Sequence, residues 1–151
     1  MVDIKRFREW LIELKENVNE QAKDVQIEGI ALAVREGHII RKLRDRRGVI
    51  LCAKYPDATV NGDADNFSSD NDMVLFLLEK VPSGSQSDED ELAHYAALQQ
   101  LMLALRNRLM DSPFVCDNEM QVVSGLTIEW EYDIFGGWNG LSIGFKLQDY
   151  A

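Results

Sequence analysis

The sequence predicts an α+β fold: an antiparallel or mixed sheet of four to five strands, two main helices packed on one face, and a C-terminal β-hairpin. Apolar residues recur every three or four positions in two segments, as in helices that cover a core. Near the C-terminus they alternate with polar residues, as in strands. A chain of 151 residues has the size of one ordinary domain, so we expect a single domain over residues 1–151.

The first helix is predicted from about Asp3 to Gln21, because its apolar residues form one stripe. Asp3 precedes the stripe and can accept a hydrogen bond from a free backbone N–H, so it is the predicted N-cap. The stripe also fits a heptad pattern, but it is too short for a coiled coil, and packing on a sheet is the better interpretation. It consists of Ile4, Phe7, Leu11, Leu14 and Val18.

The second main helix is predicted from Ser87 to Met110. Ser87 can cap it, and four acidic residues, 88–91, occupy the first turn, where the helix dipole favours negative charge. Pro113 prevents the helix from continuing. The predicted buried face consists of Leu98, Leu101, Met102, Leu105 and Leu109.

Three strands are predicted ahead of this helix, over Ile27–Val34, Val49–Tyr55 and Met73–Val81. A short basic helix, which contains Ile39, Ile40 and Leu43 and stops at Gly48, separates the first two. We expect only the connection through the Ser87 helix to be a crossover, because it is the one long connection.

The C-terminal hairpin has two alternating strands joined by the segment DIFGGWNG, whose three glycines predict a wide loop or a bulged turn. Trp138 in this segment has two interpretations, which the sequence leaves open: a side chain folded back over the sheet edge, or an exposed anchor for a protein partner. The residues expected on the apolar face are Leu126, Ile128, Trp130 and Tyr132, followed by Leu141, Ile143, Phe145 and Leu147.

Charge is unevenly distributed along a chain whose net charge is −10. Seven bases and two acids lie between Arg35 and Lys54, whereas ten acids and one base lie between Asp57 and Glu91. The basic residues are expected to form a solvated helix face or a patch for an acidic partner. Nucleic acid is not the expected partner, because the global charge opposes it and no aromatic stacking platform is identifiable. The candidate interaction residues are Arg41, Lys42, Arg44, Arg46 and Arg47.

The acidic segment 57–72 is predicted to be a loop rich in Asn, Ser and Gly. Asn61, Asp63, Asp65 and Asp72 fall at positions 1, 3, 5 and 12 of an EF-hand-like loop, which makes them candidate calcium ligands. The pattern departs from that motif, because Asn stands at position 1, the shorter Asp at position 12, and a strand rather than a helix precedes it. A solvated, mobile hairpin loop without calcium is therefore the preferred interpretation, and no metal site is expected.

Catalytic and cofactor motifs are not identifiable in the sequence. The two histidines, His38 and His94, are not associated with a nucleophile motif, and the GGWNG group lacks the pattern of a phosphate-binding loop. Cys52 and Cys116 are expected to be small buried apolar residues. We therefore expect no enzyme activity and no cofactor. The start of the chain lacks the features of a secretory signal, so a cytoplasmic location without membrane contact is expected.

The order of elements resembles that of small neck and tail-completion proteins of tailed phages and phage-derived elements. The resemblance rests on an acidic segment between two strands, a long helix, and the C-terminal hairpin GLTIEWEYDIFGGWNGLSIGFKLQDY. It implies a compact α+β subunit that associates with itself into a ring. The functional expectation is thus a non-enzymatic assembly protein. The alternative is an intracellular adaptor or immunity module whose acidic surface binds a basic protein.

Overall fold

The computed structural model describes residues 1–82, 84–116 and 120–150, without the side chains of Pro113 and Cys116. The interpretation of Cys116 as a buried residue therefore lies outside the described side chains. The helices are α1 (Ile4–Gln21), α2 (Glu36–Leu43), α3 (Asp88–Met110) and α4 (Pro113–Cys116). The strands are β1 (Ile27–Ala33), β2 (Val49–Lys54), β3 (Asp57–Asp63), β4 (Asn66–Lys80), β5 (Met120–Val122), β6 (Thr127–Ile134) and β7 (Trp138–Asp149).

The described strands form one mixed sheet in the order β1-β2-β4-β7-β5, with β3 beside β4 and β6 beside β7. The α+β class and the C-terminal hairpin are confirmed, but the sheet has seven strands rather than four to five. The additional strands come from two places. Residues 57–72, predicted to be a loop, form β3 and the first half of β4, and the short β5 pairs with the end of β7.

The connection between β1 and β2 corrects a second expectation. These two strands are parallel, and α2 carries the chain from one to the other, so α2 is also a crossover helix. Residues 34–48 suffice for such a connection, which needs about a dozen residues. The basic segment is thereby held against the face of the sheet opposite to α1 and α3.

Helices α1 and α3 pack together over one face of the sheet, as predicted. Asp3 accepts hydrogen bonds from the backbone nitrogens of Lys5 and Arg6, and Ser87 accepts one from that of Asp90, which confirms both predicted N-caps. Each helix buries its predicted apolar stripe, except that Ile4 is 43% exposed. The sheet contributes mainly Leu51, Leu75, Leu77, Ile143 and Leu147 to this core.

The opposite face carries a smaller apolar cluster beneath α2. Ile39 and Leu43 project from α2 onto Ile50, Leu78 and Trp138, all of which are 1% exposed or less. These apolar residues lie on one face of α2 and pack against the sheet. The charged residues on its other face are therefore exposed to solvent.

The centre of the sheet is the antiparallel pair β4 and β7, whose register runs from Ser69 opposite Asp149 to Lys80 opposite Trp138. Asn71 is fully buried in this ladder. Its side-chain nitrogen donates to the carbonyls of Ser69 and Leu147, while its Oδ1 accepts from the backbone nitrogen of Val2 at 3.1 Å. Asn71 therefore attaches the N-terminal segment to the middle of the sheet.

Replacing Asn71 with alanine should lower the free energy of unfolding by about 2 kcal/mol, because buried backbone groups lose their partner. Chemical denaturation measures this change. The matched control is Asn61→Ala on the same hairpin, where the side chain is exposed and the change should stay within about 0.5 kcal/mol. Equal destabilisation by the two substitutions would contradict the anchoring role of Asn71.

Candidate interaction site

A basic cleft lies at the end of the sheet where β2 begins and β4 ends. Val49 pairs with Glu79, so the segment that precedes β2 faces the last residues of β4. The cleft has a volume of about 580 Å³. It is lined by Arg44, Asp45, Arg46, Arg47, Gly48, Glu79, Lys80 and Pro82, which include four bases and two acids. We call this set the basic cleft.

The structure brings together three of the predicted interaction residues, Arg44, Arg46 and Arg47, and adds Lys80, which the sequence did not indicate. Arg41 and Lys42 are exposed on α2 and do not line the cleft. Arg46 has a structural role as well, because its Nη1 donates to the carbonyl of Ile30 at 3.2 Å. The guanidinium lies over Gly29, where a Cβ would overlap it.

The acidic segment is a β-hairpin, not a loop. β3 and β4 pair continuously from Asp57 opposite Asp72 to Asp63 opposite Asn66, which leaves a two-residue turn. We call Asp63, Ala64 and Asp65 the acidic tip. Val60 and Phe67, close to the tip, are 65% and 45% exposed although both are large apolar residues.

This hairpin excludes the proposed EF-hand geometry. Asp63 and Asp65 lie at the tip. Asn66 on β4 pairs with Asp63, and Asp72 lies six residues further along β4, about 20 Å away at 3.3 Å per residue. Asn61 is also engaged, since its Nδ2 donates to Asp70. The calcium-site interpretation is therefore wrong. In the part of the chain that the structure describes, no cluster of acidic, histidine or cysteine side chains is arranged to hold a metal ion.

The basic cleft and the acidic tip lie at opposite poles of the molecule. The tip precedes the first residue of β4, Asn66, and the cleft contains the last, Lys80. A strand of 15 residues spans roughly 45 Å. The two charged features therefore cannot contact each other within one chain.

An acidic hollow adjoins the basic cleft at the same pole, and Pro82 lines both. The hollow has a volume of about 140 Å³ and is lined, among others, by Gln86, Glu91, Tyr132 and Asp133. Asp133 has a positive φ of 51° and donates its backbone N–H to Oδ1 of Asn139 at 2.7 Å. The bulge predicted for this connection thus shapes one wall of the hollow.

The two tryptophans of the hairpin differ sharply in burial. Trp138 is 1% exposed in the cluster beneath α2, so the interpretation as an exposed anchor is wrong. Trp130 and Tyr132, expected on the buried face, are 58% and 70% exposed. The reason is that β6 is an edge strand, where Trp130 contacts α3 through the ring of Tyr95 but is not covered by it. The alternation in the sequence predicted which residues of β6 face α3. It could not predict how far α3 covers that face.

His38, His94 and Cys52 each interact with neighbouring groups of the fold. His38 accepts a hydrogen bond from the backbone nitrogen of Val34, and His94 lies 3.3 Å from a carboxylate oxygen of Glu79. Cys52 is completely buried in β2, as expected, and burial raises the pKa of its thiol to about 12, while Arg46 opposes this shift. The thiol is therefore protonated at neutral pH and has little nucleophilic character.

Comparison with known proteins adds no family to this description. No family model matches the chain, and no curated protein matches it. Among the described helices, none combines the length and the apolar character needed to cross a membrane.

Replacing Trp138 with alanine should destabilise the fold by about 3–5 kcal/mol, because it leaves a large cavity beneath α2. Replacing Trp130 with alanine is the matched control and should cost less than about 1 kcal/mol, since that side chain is mostly in solvent. Thermal or chemical unfolding of both variants measures the difference. A small effect for Trp138 and a large one for Trp130 would contradict the burial described above.

Proposed function

We propose that this domain is a structural subunit that associates with copies of itself head to tail, as expected for a ring-forming component of a phage-like particle. The acidic tip of one copy binds the basic cleft of the next. The observation that carries the proposal is the placement of opposite charges at the two ends of β4.

Charge complementarity between the poles supports this contact. Asp63 and Asp65 are exposed in the tip, and Arg44, Arg47 and Lys80 are exposed around the cleft. The acidic hollow beside the cleft repels a carboxylate, so an incoming tip is directed to the basic side. Attraction and repulsion together select one orientation of the neighbouring copy.

The apolar residues of the hairpin support it as well. Val60 pairs with Ser69, and Gly62, two positions along β3, pairs with Phe67. Residues two positions apart on a strand face the same side, so Val60 and Phe67 lie on the same face of the hairpin. Exposed apolar side chains grouped on a projecting element are typical of protein contacts. Their burial by a neighbour would add a hydrophobic contribution to the ion pairs.

In a dimer, a contact between two different surfaces leaves one tip and one cleft without a partner. It generates a ring when the rotation per subunit closes, and a filament otherwise. A closed ring is the form that the resemblance to neck and tail-completion proteins implies. Such a subunit would be made in the cytoplasm and then built into the particle.

A monomeric binding module remains the second candidate. It is supported by the acidic hollow and by the exposed Trp130 and Tyr132 beside it, which form a surface suited to a basic protein. The two candidates differ in mass in solution, because only the first requires a complex of several copies.

The test is a pair of charge reversals, Asp63→Arg/Asp65→Arg at the tip and Arg44→Glu/Arg47→Glu in the cleft. Sedimentation velocity at several salt concentrations should show that the wild type forms complexes of five or more copies, and that each variant alone dissociates, with an association constant at least about a hundredfold lower. A chain that carries both sets of reversals should assemble again, because opposite charges then meet once more.

The matched controls reverse exposed charges on α1, with Glu13→Arg/Glu16→Arg for the tip variant and Lys5→Glu/Arg8→Glu for the cleft variant. Both controls should assemble like the wild type. A wild-type chain that stays monomeric at high concentration and at every salt concentration would overturn the proposal. Failure of the combined variant to reassemble would show that the tip and the cleft are not partners.

A further inference from the structure

Strand β6 presents an unpaired edge beside the acidic hollow. Among the described strands it pairs with β7 alone, and its eight residues contain neither proline nor lysine, which commonly protect such edges. One carbonyl, that of Glu131, accepts the hydroxyl of Tyr95 at 2.7 Å. Burial and the neighbouring Glu91 raise the pKa of that hydroxyl, so it remains a donor. An extended segment could pair with the strand on the N-terminal side of this bond.

Charge determines which segment can approach this edge. Glu129, Glu131 and Asp133 occupy alternate positions on β6, and Glu91 of α3 lines the hollow together with Asp133. A second copy that paired through its own β6 would bring like carboxylates together, which opposes pairing. A segment with positive side chains is attracted to these carboxylates.

The hollow is lined by hydrogen-bond acceptors. Gln86 lines it, and the Oε1 atom of Gln86 is buried and accepts no hydrogen bond from any described residue. Glu91 and Asp133 line it as well, and an ionised carboxylate accepts hydrogen bonds but donates none. A donor-rich cation beside these two side chains can therefore form charge-assisted hydrogen bonds.

From these features we infer that the β6 edge and the acidic hollow together bind an extended, arginine-bearing segment of another protein. The segment adds a strand alongside the N-terminal part of β6 and places one guanidinium beside Glu91 and Asp133 in the hollow. Arginine fits better than lysine, because its planar group donates in several directions and stacks on aromatic rings. Tyr132, which lines the hollow and is 70% exposed, offers such a ring. This inference does not depend on self-association.

The binding experiment uses a fluorescent peptide of eight alternating valine and arginine residues and measures anisotropy on titration with the full chain. The peptide should bind saturably to the wild type. The double variant Glu91→Gln/Asp133→Asn should weaken binding about tenfold or more, since it removes both carboxylates of the hollow. Asparagine tolerates the positive φ at position 133, so the fold is preserved there.

Three comparisons make the result decisive. The variant Glu13→Gln/Glu16→Gln removes two exposed carboxylates from α1 and should bind as the wild type does. A peptide with proline in its centre should bind at least about tenfold more weakly, because proline cannot complete the strand pairing. Arginine methyl ester should compete poorly.

Binding that both glutamine-bearing variants weaken equally would show unspecific attraction and overturn the inference. Competition by the ester at the concentration of the peptide would also overturn it, because the hollow would then accept a small cation without strand pairing. Absence of saturable binding to the wild type would overturn the inference as well.

Discussion

The antiparallel pairing of β4 with β7 is the interaction on which the rest of this structure depends. Every other strand joins the sheet through one of these two, except β1, which joins through β2. The pairing presents one face to α1 and α3 and the other to α2 and Trp138. It also receives the N-terminal segment through Asn71, and Asp149 accepts the terminal ammonium at 3.0 Å. Loss of this ladder would remove both apolar clusters together.

The length of β4 connects this ladder to the proposed function. Its C-terminal half is central and covered on both faces, whereas its N-terminal half extends into the hairpin with β3. One continuous strand therefore supports a buried core and a projecting acidic tip. The basic cleft lies at the other end because α2 returns the chain to the start of β2, opposite Glu79. The separation of charge along the sequence becomes a separation of charge along the molecule.

Much of the fold could be predicted from periodicity. The stripes of α1 and α3, their caps Asp3 and Ser87, and the alternation of β7 each reflect local physical rules. The acidic hairpin could not be predicted in the same way, because polar residues on two exposed faces leave no alternation to detect. The positions of Trp130 and Trp138 depend on which strand is at the edge, and strand order is a long-range property. Arg44, Arg46 and Arg47 were correctly grouped because they are neighbours in sequence, while Lys80 joins them only through the sheet.

A disulfide cross-link between separate molecules tests whether the acidic tip of one copy meets the basic cleft of another. One chain carries Asp65→Cys at the tip and the other Arg47→Cys in the cleft, both with Cys116→Ser, and Cys52 remains because it is buried. If the tip of one copy binds the cleft of another, mild oxidation joins the two different chains efficiently, while each variant alone stays largely uncross-linked. Efficient homodimers of the tip variant, or no bond between tip and cleft under conditions where the wild type is associated, would contradict it.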